Sequence, residues 1–348
     1  TITPLASIIG SGFLVLGPIL DVSYGVYAPL MMALLCAGAY FFGSAIRFNI
    51  ATIDQTKGKR PALREHLETA ASWVLAFAYV ISVAYYLNLF GAFGVSLTEL
   101  DSKLHAKQLT SAVLLLILVV GWTRGFGALE RMEQVTVGIK LAIISGLLFG
   151  LGVYFFGKAG SGELLLNPPT VTGWAAVTLA FGLIVTVQGF ETSRYLGEHY
   201  DAQTRIRSMR IAQGLSTLIY MIYIGFMAYV FEPGTLSLDE TAIIPMMEIV
   251  APILPVLLVA AALSAQFSAA LADTNGSGGL VEELTRRRVS PRLAYAILVT
   301  IGLILTWTVN IFQIIAYASR AFALYYAIQS LIAAIAAWQI PGRRFHAV

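Results

Sequence analysis

The chain has 348 residues, 58% hydrophobic and 12% charged, with a formal net charge of +3. A soluble domain carries roughly 25% charged residues, so a water-soluble globule is excluded, and so small a net charge makes no footprint for nucleic acid. Cys36 is the only cysteine, which rules out an internal disulfide or a cysteine metal site; His66, His105, His199 and His346 fall far apart in polar connectors and form no metal cluster.

Mean hydropathy is +0.78, and apolar runs of helix-spanning length recur from end to end. In chain order they predict spans near 2–20, 28–48, 69–95, 108–123, 134–157, 174–197, 209–231, 249–272, 292–309 and 312–338. The first contains Gly10-Ser11-Gly12, with Pro18 following and Asp21 at its outer end. Each glycine costs about 1 kcal/mol relative to alanine in a helix, so this span is expected to break. The third carries Tyr85, Tyr86 and Asn88, and the fifth opens on Lys140. The sixth holds Gln188-Gly189-Phe190-Glu191, a second glycine among polar neighbours, with Arg194 three residues beyond Glu191. The eighth holds Ser264, Gln266 and Ser268, and the tenth holds Arg320. No soluble domain interrupts the series, and Asn275-Gly276-Ser277, which matches a glycosylation sequon, falls on the cytoplasmic side and is set aside. The chain opens at Thr1 without a methionine or an evident signal peptide, so the native protein is expected to extend further.

Orientation follows from the basic residues. Sixteen of the 22 lysines and arginines, from Arg47 to Arg344, fall in one set of alternate connectors, and only Lys103, Lys107 and Lys158 in the other. The positive-inside rule then puts both termini in the cytoplasm. Ser11 and Gly189 are 178 residues apart, close to half the chain. Interrupted helices at matching places in two halves point to the site of a secondary transporter, because backbone freed at membrane depth needs a ligand, an ion or buried protein to satisfy it. Five spans per half requires the halves to be inverted. The expected fold is one all-α membrane domain over 1–348, with repeat one near 1–157, repeat two near 174–338, and helices 1 and 6 broken.

Ile9-Gly10-Ser11-Gly12-Phe13 resembles the first-helix signature of the amino acid–polyamine–organocation (APC) transporters. Arg124-Gly125 through Lys140-Leu141 is similar to their fourth-to-fifth-helix segment, and Gly189-Phe190-Glu191 with Tyr195-Leu196-Gly197-Glu198 resembles their sixth helix. Ala262-Leu263-Ser264 through Pro291 resembles helix eight and its basic loop. The sequence departs where a proline-bearing segment usually follows helix six and here reads Asp201-Ala202-Gln203-Thr204, and in stopping after ten spans. Residue 185, where several antiporters of the family place a gating tryptophan, is valine.

The resemblance implies a LeuT-type fold and secondary transport of an amino acid or amine by proton-coupled symport or exchange, in a plasma or bacterial inner membrane. Substrate contacts are expected from Ile9, Gly10, Ser11, Gly12, Tyr86, Gln188, Gly189, Phe190 and Glu191. The dipole at the resumed first helix suits a carboxylate and the carbonyls near Gln188 suit an ammonium group, so a zwitterionic small molecule fits best. In sodium-coupled relatives helix-eight hydroxyls and helix-one carbonyls hold the ion, which points to Ser264 and Ser268. In proton-coupled relatives a lysine at the place of Lys140 fills that position instead, so either proton or sodium is the coupling ion. Ionisable groups inside spans cost about 2.5–3.5 kcal/mol and are functional suspects. Glu191 and Arg194 form a local pair or a gate, and Arg320 needs an acidic partner among Asp21, Glu191 and Asp273, with Asp21 making an extracellular gate. No catalytic constellation and no nucleotide loop is present, so neither enzymatic activity nor a cofactor is expected. The competing function is a carrier or channel for a divalent metal or potassium, for which Gln188 and Glu191 are the ligands on offer.

Overall fold

The computed structural model describes residues 2–10, 12–55, 62–195, 200–232 and 241–339, and all regular structure among them is helical. The first predicted span is two helices, α1 (Ile2–Ile8) and α2 (Gly12–Tyr24). A 3-10 turn at Gly25–Tyr27 leads into α3 (Ala28–Gln55), and α4 (Ala62–Val95), α5 (Lys103–Arg124) and α6 (Phe126–Ser161) follow. The sixth span is α7 (Gly173–Leu183) and two 3-10 segments, Ile184–Val187 and Phe190–Tyr195, with Gln188 and Gly189 outside both. The chain continues through α8 (Ala202–Met227), α9 (Ile243–Val250), α10 (Leu254–Leu284), α11 (Pro291–Thr308) and α12 (Ile311–Gln339).

Seven helical stretches among the described residues are long and apolar enough to cross a membrane, and α7 is a shorter apolar helix. The first and sixth spans fall short because they are interrupted. In α8 the first turns carry Arg205, Arg207 and Arg210. Several helices outrun a hydrocarbon core of about 30 Å: α6, with 36 residues, reaches about 54 Å at 1.5 Å per residue.

Four boundaries differ from the sequence reading for local reasons. His66 and His105 are helical, since α4 and α5 begin several residues before their apolar runs. The span placed at 249–272 is two helices, because Pro252 pushes the preceding Ala251 out of the helical region; Ala251 is extended at φ −165, which ends α9, and α10 runs on to Leu284. Asp201, where the usual proline is missing, caps α8: its carboxylate accepts the Thr204 N–H at 2.7 Å.

The core forms where α10 packs on α4 and α6, and α12 on α4. At the crossing of α4 and α5, a Cβ added to Gly91 would lie 2.2 Å from the Ala106 carbonyl oxygen. The two backbones therefore meet almost directly, as small residues allow in membrane bundles. Tyr79, Tyr85, Tyr325, Tyr326 and Phe322 are fully buried around the two broken helices.

Candidate functional site

The two breaks touch. Gly189 has φ +116, and a Cβ there would lie 2.6 Å from the Ser7 carbonyl carbon and 2.7 Å from the Ile8 nitrogen. Only glycine holds this conformation without strain, and only glycine lets the sixth-span break rest on the end of α1. Tyr220, from α8, sits between them: its hydroxyl is 3.1 Å from both the Ile8 and the Thr186 carbonyl oxygens. Gln188 and Glu191 are buried. Gln188 Nε2 donates to the Tyr86 hydroxyl at 3.1 Å, and one Glu191 carboxylate oxygen accepts from Gly189 N–H at 3.0 Å and from the Tyr326 hydroxyl at 2.9 Å. Glu191 Oε1 has no partner among the described residues. Phe190 stacks on one face of Tyr326 at 5.3 Å, with Phe42 at 5.2 Å stacking on the same tyrosine. Ile9, Gly10, Tyr86 and 188–191 are thus brought together. Gly12 opens α2, and Ser11 lies outside the described residues, as does the side chain of Val185.

The pairing of Glu191 with Arg194 is not formed. The segment resumes as a tighter 3-10 turn, and Arg194 pairs with Glu68 of α4. Arg194 also has its main-chain carbonyl held by Arg205 at 2.8 Å. Side-chain exposures of 7% and 13% make this a largely buried ion pair. Removing one partner of such a pair costs about 3–5 kcal/mol, because the other charge is stranded. Glu68→Ala is accordingly expected to lower the thermal unfolding midpoint in detergent sharply. Glu68→Asp, which keeps the charge, recovers part of the loss.

Lys140 is 0% exposed. Its ammonium donates to the carbonyls of Ala6 and Ile9, each at 2.7 Å, and to Ser268 Oγ at 3.0 Å. An ammonium has three protons, and all three are used. The carbonyls are free to accept because the chain leaves helical geometry after Ile8. Ser264 is half-buried on α10 and is not among the partners of Lys140.

The Asp21–Arg320 gate is not formed. Asp21 is buried on α2, whereas Arg320 is exposed on α12. The buried face of α12 runs through Ala318, Phe322, Tyr325 and Tyr326. Two residues along a helix turn about 200°, which carries Arg320 to the outer side. Lys158–Glu163 and Arg194–Glu68 are the ion pairs among the described residues, so Glu191 and Asp273 are not Arg320's partners either.

A cavity of about 1000 Å³ rises toward the breaks from the side of the α5–α6 and α10–α11 connectors. Arg286 and Ser290 lie at its rim, and Thr3, Tyr79, Glu133, Thr192 and Asn275 line it further in. Several groups here escaped the sequence reading. Ser7, Ser82, Tyr220 and Tyr326 carry no signal that separates them from other polar residues in apolar runs. Glu133 and Asp273 each fall one residue outside the predicted spans 134–157 and 249–272, so the rule for ionisable groups inside spans does not reach them. The structure places them within α6 and α10, and the sequence offers Asp273 only as a partner for Arg320.

Two interrupted helices, one broken after Ile8 and the other at Gln188–Gly189, meet within a bundle of apolar helices, as in secondary transporters of LeuT-like fold. A family model described as APC superfamily transporter matches residues 1–347. An uncharacterized protein of Aquifex aeolicus (strain VF5) is 41% identical over 352 aligned positions, spanning 98% of this chain and 84% of that protein. Among solved structures, a nucleobase-cation-symport-1 family transporter in a closed conformation with bromovinylhydantoin bound matches 99% of this chain and 79% of its own. It does so with a TM-score of 0.62 at 12% identity. The chain belongs to the APC superfamily of transporters and is an integral multi-pass membrane protein.

Proposed function

We propose that the protein carries an amino acid or a related amine, coupled to protons, by alternating access of two inverted repeats near residues 1–157 and 174–338. The supporting observation is the Lys140 ammonium seated on Ala6, Ile9 and Ser268. A charged lysine satisfies three oxygens with three protons, and the neutral amine has only two to give. Loss of a proton therefore loosens the tie between α6 and the half-helix α1, which links protonation to the motion that opens the site. A fixed ammonium also fills an oxygen nest that sodium would otherwise take.

For the substrate, the start of α2 at Gly12 offers a positive dipole end to a carboxylate. Buried Glu191, with one oxygen unpartnered, offers a counter-charge for an ammonium group. With both termini cytoplasmic, the cavity beside Arg286 and Ser290 opens inward, so this arrangement is inward-facing. The test is uptake into proteoliposomes under an imposed pH gradient. The panel is the standard amino acids, putrescine, hydantoin (after the compound named with the structural neighbour), rubidium and manganese. Accumulation of an amino acid or amine that rises with the inward proton gradient supports the reading. Uptake of hydantoin alone, or of a metal ion alone, replaces the substrate class. Uptake driven by sodium and indifferent to pH removes the proton.

A further inference from the structure

A second polar contact holds α1: a fully buried carboxyl group, Asp273 of α10, meets two hydroxyls from two other helices. Ser7 Oγ, from α1, donates to Asp273 Oδ1 at 3.3 Å, and Ser82 Oγ, from α4, contacts Asp273 Oδ2. Asp273 belongs to neither ion pair among the described residues, and the three protons of Lys140 go to neutral oxygens. A bare carboxylate so placed carries a heavy desolvation cost.

Ser82 Oγ also lies 3.1 Å from the carbonyl oxygen of Tyr79, one turn back on α4. A hydroxyl has one proton, so Ser82 serves either Asp273 Oδ2 or the Tyr79 carbonyl as donor. The two arrangements match two protonation states of Asp273. An ionised carboxyl accepts from both Ser7 and Ser82 but has no counter-charge, whereas a neutral one accepts from Ser7, donates Oδ2–H to Ser82 and releases the Ser82 proton to Tyr79. Burial without a cationic partner favours the neutral arrangement. The site is also too closed for a large cation. Its neighbours Ala272, Asn275 and Gly276 and the ring of Tyr79 line the cavity, whereas Asp273 itself is 0% exposed and does not.

We propose that Asp273, with Ser7 and Ser82, is a second proton-binding site of this transporter, distinct from Lys140. Ser7 stands between Ala6 and Ile9, so the same stretch at the end of α1 is held by both Lys140 and Asp273. Both protons then govern the same half-helix. The titratable groups that act on Asp273 include Tyr79 and Tyr86 on α4, Glu133 on α6 and Glu191 at the sixth-span break, and none of these four brings a positive charge. The cation nearby is Lys140, whose Ser268 partner lies on the same helix as Asp273 and whose three protons go to other oxygens. The site's role in coupling rests on the transport reading above, but its occupancy does not.

The test therefore begins without substrate. Infrared difference spectra of the intact protein in lipid nanodiscs, titrated with acid and base, report protonated carboxyl groups directly. Wild type is expected to show at neutral pH a protonated-carboxyl band that disappears in Asp273→Asn and shifts in Ser82→Ala, which removes its acceptor. The bands of Glu133 and Glu191 are assigned separately with Glu133→Gln and Glu191→Gln. A neutral-pH spectrum unchanged by Asp273→Asn overturns the proposal, as does a carboxylate band at Asp273 that responds to sodium. In proteoliposomes loaded with the mixed standard amino acids, Asp273→Asn mimics the protonated form. It is expected to retain exchange at equal pH and lose at least tenfold in pH-driven accumulation. Full pH-driven accumulation by the variant overturns the coupling role. Absence of any amino-acid transport by wild type, with the infrared band present, counts against the substrate reading and leaves the site standing.

Discussion

Replacing Lys140 by alanine is expected to reduce pH-driven uptake on the order of 100-fold or more, close to the level of protein-free liposomes. The substitution strips the Ala6 and Ile9 carbonyls and Ser268 of their donor. Each hydrogen bond to a charged group is worth about 1.5–3 kcal/mol, and losing two exceeds the ~2.7 kcal/mol that corresponds to 100-fold in rate. Lys140→Arg is expected to fail as well, since a planar guanidinium fork does not match three oxygens converging on a point charge. Retention of full pH-driven accumulation by Lys140→Ala would remove the residue from the mechanism. Exchange at equal pH, measured on the same preparations, separates lost coupling from lost substrate binding.

Gly189→Ala is expected to abolish uptake and also to destabilise the protein by several kcal/mol. Two costs combine. The backbone at φ +116 disfavours any side chain, at about 1–3 kcal/mol. The new Cβ also overlaps Ser7 and Ile8 main-chain atoms at 2.6–2.7 Å, which only a shift of α1 relieves, and such overpacking costs about 1–3 kcal/mol. Moving α1 away also withdraws Ala6 and Ile9 from Lys140, and Ser7 from Asp273. The measurement is the thermal unfolding midpoint in detergent alongside uptake, with membrane insertion checked separately. A variant with wild-type stability and transport would mean that the two breaks do not bear on each other.

Much of this architecture was legible in the sequence because the bilayer acts on local chemistry. Apolar runs of about 20 residues mark spans whatever their neighbours do. Gly10–Gly12 and Gln188–Glu191 announced the broken helices because glycine weakens a helix locally, and their 178-residue separation tied them to two halves of one fold. Pro252 likewise carries a local signal, since the residue before a proline is pushed out of helical geometry, and it separates α9 from α10 within the predicted span 249–272.

Pairing between distant groups was decided only by the tertiary structure, because a linear pattern places a charge in a helix without saying which neighbour the helix turns it toward. Arg194 chose Glu68, which is 126 residues away, over Glu191, which is three away. Arg320 faces outward because the rotation of α12 is set by the packing of Phe322, Tyr325 and Tyr326. The carboxyl of Asp273 found hydroxyls on α1 and α4 that nothing in their own segments distinguishes. Hydropathy and helix breaking act on a few adjacent residues, and so a sequence records them. Which buried polar groups satisfy one another depends on how a dozen helical segments are rotated and packed together, and only the folded chain specifies that.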